Sequence, residues 1–265
     1  MKLKKETKSE NISSDVKEKK KSVAGSLISL DSVSKSFDTT VVLNNLSLEI
    51  KSGEIIGLIG RSGCGKSTFL KILIGFYGAN SGTISYNGEN ITGKLKVLRS
   101  LVGYTTQENS FYNKLTIYEN MKYYARLYGF RPEDKKLKNH IHDILESVGL
   151  LTQKNKLAGK ISGGMKRRLD FAISLVHDPD ILILDEPTTG LDPVLVKNFW
   201  NIVKNINKRG KTVIVITHLF GEIKDHCDRF AIMNKGAFNL VMAVKDFKKK
   251  FPHQSFGDVF EKYTE

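Results

Sequence analysis

An α/β fold built on a mostly parallel sheet is predicted by three short apolar runs with stretches of helical periodicity between them. The runs are Ile55–Ile59, Ile181–Leu184 and Val213–Ile216. Continuous apolar runs of this length mark strands covered on both faces. Parallel strands need crossovers, and the intervening helical segments provide them. The second observation is local: the first run passes straight into a glycine-rich turn and then into a helical pattern.

Residues 1–24 are rich in Lys, Glu and Ser. Eight lysines against four acids give this stretch +4 of the formal +14. It is too polar to bury the surface that would offset its ordering entropy, so a disordered basic tail is expected. From about residue 25 the texture becomes that of a folded domain running to 265. Leu46-Ser47-Leu48-Glu49-Ile50 alternates with period two and reads as a half-buried strand. From about 109 to 176 the pattern is helical. Thr116-Ile117-Tyr118-Glu119 has the form of a capping box, and Ile117, Met121, Tyr124, Ala125 and Tyr128 follow at helical spacing. A second helix is predicted over Asp143–Val148, stopped by Gly149. This stretch reads as a helical insert, its aromatic residues as packing. Residues from about 237 form a C-terminal extension.

Bulk properties exclude several classes. Two cysteines, Cys64 and Cys227, make no disulfide framework, and a reduced, cytosolic setting is expected. No apolar run approaches the roughly 18 residues that span a bilayer, so any membrane role needs a partner. The positive charge raises nucleic-acid and membrane-surface readings, but the tail's share reads as a solvated charge run. His140 and His142, two apart, point to different sides of a helix. His226 with Cys227 offers two ligands and no zinc site. Lys166, Arg167, Arg168 and Lys248–Lys250 read as solvated faces.

Gly60-Arg61-Ser62-Gly63-Cys64-Gly65-Lys66-Ser67 matches the P-loop pattern GxxxxGK[ST]. Glycines let successive backbone N–H groups turn toward phosphate oxygens, and the helix that follows presents its N-terminus to negative charge. Lys66 is expected to reach the β- and γ-phosphates, and the Ser67 hydroxyl to ligate Mg²⁺. Thr68 is grouped with this nucleotide-binding set, and Cys64 reads as a small filler. Ile181–Leu184 runs into Asp185-Glu186, acids at the end of a buried strand, where open α/β sheets bind ligands. Asp185 is expected to hold Mg²⁺ through water. Glu186 is expected to polarise the attacking water.

Ile161-Ser162-Gly163-Gly164-Met165, followed by Leu169, Ala172, Ile173 and Val176, resembles the signature sequence of ATP-binding-cassette (ABC) ATPases. Asp185 lies 23 residues beyond Ser162, a spacing like the family's. Thr189-Gly190-Leu191-Asp192-Pro193 resembles the D-loop, and Thr217-His218 the switch histidine. Gln107, 41 residues beyond Lys66, resembles the Q-loop glutamine. Phe37 matches the aromatic that stacks on adenine. The resemblance spans roughly 27–236. It implies a P-loop NTPase core with an antiparallel β edge region and a helical insert carrying the signature. It further implies ATP and Mg²⁺ as ligands, with Gln107 and Asp185 joining Ser67 at the metal. Glu186, His218, Lys66, Gln107 and Asp192 would serve catalysis, and Ser162, Gly163, Gly164 and Met165 would close on the ATP of a second subunit. The partners implied are that second subunit, identical or different, and an integral-membrane permease that holds the chain at the cytoplasmic face. No specific nucleic acid is expected.

Met165 stands where the family commonly has glutamine and cannot make its polar contacts. The run Ser162–Leu169 and the end Asp258-Val259-Phe260 resemble the branch that exports drugs, antibiotics and lipids. Lys156–Lys160 lacks the acidic motif of fused half-transporters, and no sugar-importer regulatory domain is expected. Two other functions were open: a soluble ABC protein acting on ribosomes or DNA, and a cassette that binds ATP without hydrolysing it. A single cassette without a coiled-coil insertion counts against the first. Glu186 and His218 count against the second.

Overall fold

The structure, a computed structural model, describes residues 26–106, 108–131 and 135–265. The expected tail and Gln107 lie outside the described residues. An antiparallel sheet contains β1 (Ser26–Phe37), β2 (Thr40–Lys51), β4 (Ser81–Tyr86) and β5 (Glu89–Asn90), in the order β2-β1-β4-β5. A second sheet contains β3 (Ile55–Gly60), β6 (Val102–Thr105), β7 (Ile181–Asp185), β8 (Thr212–Ile216), β9 (Arg229–Asn234) and β10 (Ala237–Ala243). Its order is β10-β9-β3-β8-β7-β6, parallel throughout except for β10.

The three apolar runs are β3, β8 and β7, adjacent strands at the centre of the parallel sheet. Their alternate residues enter two different cores, as the two-residue period of a strand requires. Ile56, Leu58, Ile183 and Ile214 pack with Leu46 of the antiparallel sheet and Phe69. Ile55, Ile59, Leu182 and Val213 pack with Phe171, Phe199 and Trp200 on the other face. In β2, Leu46, Leu48 and Ile50 are buried while Ser47, Glu49 and Lys51 are exposed, as the alternation predicts. The parallel strands β6 and β9 were not legible. The first has only four residues, and the second opens on a charged Arg229.

The helices are α1 (Lys66–Leu73), α2 (Leu98–Leu101), α3 (Ile117–Leu127), α4 (Lys135–Ser147), α5 (Gly163–Ser174), α6 (Pro193–Asn207), α7 (Phe220–His226), α8 (Phe247–Lys250) and α9 (Phe256–Thr264). The capping box opens α3: Glu119 N donates to Thr116 Oγ1 at 3.1 Å, and Thr116 N donates to Glu119 Oε2 at 2.8 Å. Ile117, Met121 and Ala125 are buried beneath it, whereas Tyr128 lies past its end, stacked on His177 at 3.8 Å. α4 begins well before Asp143, because Leu137 and Ile141 extend its apolar face. It stops at Gly149, whose φ of +67° suits glycine. No helix among the described residues is long and apolar enough to cross a membrane.

Candidate functional site

Strand register brings the predicted chemistry to one edge. Leu58 of β3 lies opposite Ile216 of β8, and Ile216 lies opposite Asp185 of β7. β7 and β8 therefore end level, and β3 runs two residues further, to Gly60. Beyond their ends come the loop Gly60–Lys66, the pair Thr217–His218, and Glu186. Thr217 N donates to Leu58 O and Glu186 N to Ile216 O, which continues the ladder into the loops. This carboxyl edge is where open α/β sheets place ligands.

The glycine-rich loop wraps the Lys66 ammonium. Its Nζ donates to Gly60 O at 2.6 Å and Arg61 O at 3.0 Å. Gly65 adopts φ +112° at the N-cap of α1, a conformation L side chains rarely take. A Cβ there would also come within 2.9 Å of Leu43 Cδ2 and 3.0 Å of Val42 O, so strand β2 presses directly on the loop. Cys64 is buried, its Sγ 3.8 Å from Lys66 Nζ. Ser62 and Ser67 are exposed and Thr68 is half-buried. The exposed Arg61 is held from outside, its Nε donating to Thr264 Oγ1 of α9 at 3.1 Å.

Asp185 Oδ2 accepts a hydrogen bond from Tyr104 OH at 3.1 Å. Burial raises the Asp185 carboxyl above the usual carboxylate range. Its hydrogen bond from Tyr104 and the charges of Arg167 and Lys66 oppose that shift. Glu186 Oε2 lies 2.8 Å from His218 Nδ1 and accepts from Thr189 Oγ1 at 3.3 Å. Glu186 adopts φ +48°, a left-handed conformation that costs a non-glycine residue about 1–3 kcal/mol. The fold therefore holds this residue against a local preference.

The other predicted residues lie on neighbouring elements. Ser162 caps α5, its Oγ accepting from Met165 N at 3.4 Å. Gly163 and Gly164 form the first turn of that helix, and Met165 packs half-buried against the core. Gly163 borders a crevice with Arg167, Glu186, Thr189 and Leu191. Asp192 Oδ1 accepts from Val194 N at 3.0 Å and Leu195 N at 2.9 Å, which caps α6. Phe37 ends β1, 37% exposed. Its ring meets Tyr77 edge-on at 5.0 Å, with Lys35 Nζ 5.2 Å away over the ring. Tyr77, which the turn after α1 brings alongside, is a second aromatic at this position that the sequence did not reveal.

Two further readings change. Arg167 is not on a solvated face: it is 8% exposed and hydrogen-bonded to four backbone carbonyls. Its neighbours Lys166 and Arg168 are half-buried, and Arg168 donates to Val148 O and Gly149 O. The insert's aromatic residues, read as packing, divide: Phe111 is buried in the core, while Tyr112 beside it is 48% exposed. Sequence reasoning also missed Glu222. Its buried carboxylate accepts from Thr188 Oγ1, from Thr217 Oγ1 at 2.6 Å and from Trp200 Nε1 at 3.1 Å. The only signal was a charge on the buried side of a short helix.

Residues 43–189 match the model of the ABC transporter family. The chain is 37% identical over 209 residues to Nod factor export ATP-binding protein I of Rhizobium johnstonii, covering 79% of this chain and 67% of that one. It is also 37% identical over 209 residues to the protein of the same name from Burkholderia orbicola, covering 79% and 68%. Among solved structures, cbiO1 of Clostridium perfringens, described as part of the ABC transporter complex cbiONQ, superposes with TM-score 0.78 at 26% identity. That match covers 90% of this chain and 94% of the other. A nucleotide-free ATP-binding cassette of an ABC transporter superposes with TM-score 0.79 at 22% identity, covering 91% and 99%.

Proposed function

Since the chain belongs to the ABC transporter family, we propose that it hydrolyses ATP to drive export through a separate membrane permease. The observation that carries this reading is the convergence of Lys66, Asp185, Glu186 and His218 at one sheet edge. In it, the loop Gly60–Ser67 and Thr68 surround the phosphates, and the Lys66 ammonium counters their charge. Glu186 takes the proton of the attacking water, and His218 fixes the orientation of that carboxylate. Phe37 and Tyr77 offer ring surface to the base.

The Ser67 hydroxyl and the Asp185 carboxylate are hard oxygen donors of the type Mg²⁺ selects, and they fit that ion. Gln107 is proposed as a third ligand. When bound, Mg²⁺ supplies positive charge at the phosphate oxygens. The exposed helix start at Ser162 and Gly163, with Gly164 and Met165, is read as the surface that closes on the ATP of a second cassette. Asp192 stands beside that surface as a helix cap. Two cassettes and a permease are the proposed assembly, at the cytoplasmic side of a membrane. Export is favoured over action on ribosomes or nucleic acid because the export proteins named above are 37% identical to this chain. The Glu186–His218 pair supports hydrolysis over binding alone.

The test is Lys66→Ala. Nucleotide affinity, read by equilibrium binding, and ATPase are both expected to fall at least tenfold. Unchanged ATP affinity would show that the phosphates sit elsewhere.

A further inference from the structure

We propose that Arg167 is the positioning residue for Glu186, so that the helix starting at the signature sets the geometry of the hydrolytic carboxylate in its own chain. The inference rests on the reading of Glu186 as the base. Arg167 projects from the first turns of α5 into the interior, where it is 8% exposed. Nε donates to Pro187 O at 2.7 Å, and Nη2 donates to Asp185 O at 2.9 Å and Glu186 O at 2.8 Å. Nη1 donates to Thr106 O at 2.7 Å, just past β6. Three successive carbonyls around Glu186 thus face one planar guanidinium, and the turn that aims them there is the one with φ +48°. Without such a donor, each of those carbonyls would lose a partner, Glu186 O keeping only the longer bond from Thr189 N at 3.4 Å, and the left-handed turn would be free to relax. Relaxation would carry the Glu186 side chain away from His218 Nδ1, now 2.8 Å distant. A lysine cannot reproduce this, because an ammonium is a point donor and the fork of arginine reaches several acceptors at once. Arg167 touches no reacting atom in this account and acts through the backbone of Glu186.

The experiment is a double-mutant cycle on the full chain with Arg167→Met, Arg167→Lys and Glu186→Gln. It measures kcat, KM, equilibrium ATP affinity and the unfolding midpoint. Arg167→Met is expected to lower kcat at least tenfold while ATP affinity stays within threefold. Arg167→Lys should recover only part of that loss. In the Glu186→Gln background, Arg167→Met should change the residual rate by less than twofold, since the group it positions is already gone. Wild-type kcat in Arg167→Met would overturn the proposal, as would an equal loss in both backgrounds. If both the Met and Lys variants lose ATP binding together with stability, Arg167 is a structural residue only and the proposal fails. Wild-type turnover in Glu186→Gln alone would remove the base assignment itself, an outcome separable from all of these.

Discussion

Phe37 shows how a residue-level reading changes once its neighbours are known. The ring is not alone: Tyr77 stands 5.0 Å away, and Phe76 lies against Tyr77 at the same distance. A base resting there would meet two rings, so removing one leaves part of the contact. Phe37→Ala is expected to raise the KM for ATP roughly three- to tenfold, matching about 0.5–1.5 kcal/mol for one aromatic contact. kcat should hold, because binding is lost equally in ground and transition states. Phe37→Ala with Tyr77→Ala should raise KM further. Steady-state kinetics on both variants decide it, and an unaltered KM in the double variant would place the base elsewhere. At this scale the motif residues were legible because their chemistry is local. Gly65, Lys66 and Ser67 sit side by side in sequence, and the loop needs each residue type at its position. Arg167 was not legible. Its partners are backbone carbonyls at 106, 185, 186 and 187, and a carbonyl carries no side-chain signature.

Among elements, the segment between β6 and β7 exposes Tyr112, Tyr123, Leu127 and Tyr128. Tyr112 N donates to Asn120 Oδ1 at 2.8 Å, which fixes the loop before α3. The Tyr112 ring then stands outward, in edge contact with Tyr123 at 4.8 Å, its hydroxyl donating to Tyr123 OH at 3.1 Å. Exposed paired tyrosines suit an interface, where a ring can be buried while its hydroxyl keeps a partner. We propose this tyrosine pair as the contact that would pass motion to a permease. Tyr112→Ala should leave the ATPase of the isolated subunit within twofold and impair transport by the assembled complex at least fivefold. Transport at wild-type rate would move the coupling surface elsewhere. A joint fall of both activities with stability would give Tyr112 a structural role instead. The adjacent aromatics Phe111 and Tyr112 could not be separated by sequence, because periodicity fails in the irregular stretch between β6 and α3. Only tertiary packing turns one inward and the other out.

For the whole molecule, two sheets and a set of helices do one geometric task, which is to bring the carboxyl ends of β3, β7 and β8 to one edge. The central strands were readable because they are buried on both faces and so continuously apolar. The antiparallel sheet was readable only in the alternating part of β2. β1, β4 and β5 mix polar and apolar residues across irregular pairings, which leaves no clean period. The C-terminal residues add a brace: α9 reaches Arg61 of the phosphate loop through Thr264, and Phe260 packs against Phe220 of α7 at 5.4 Å. We propose that this carboxyl edge hydrolyses ATP with Glu186 as the base. ATP hydrolysis by Glu186→Gln, measured beside ATP binding, tests it most directly. Retained ATP binding and a rate lowered by roughly 10²–10⁴-fold are expected, the range for loss of a general base. Full turnover in that variant would contradict it.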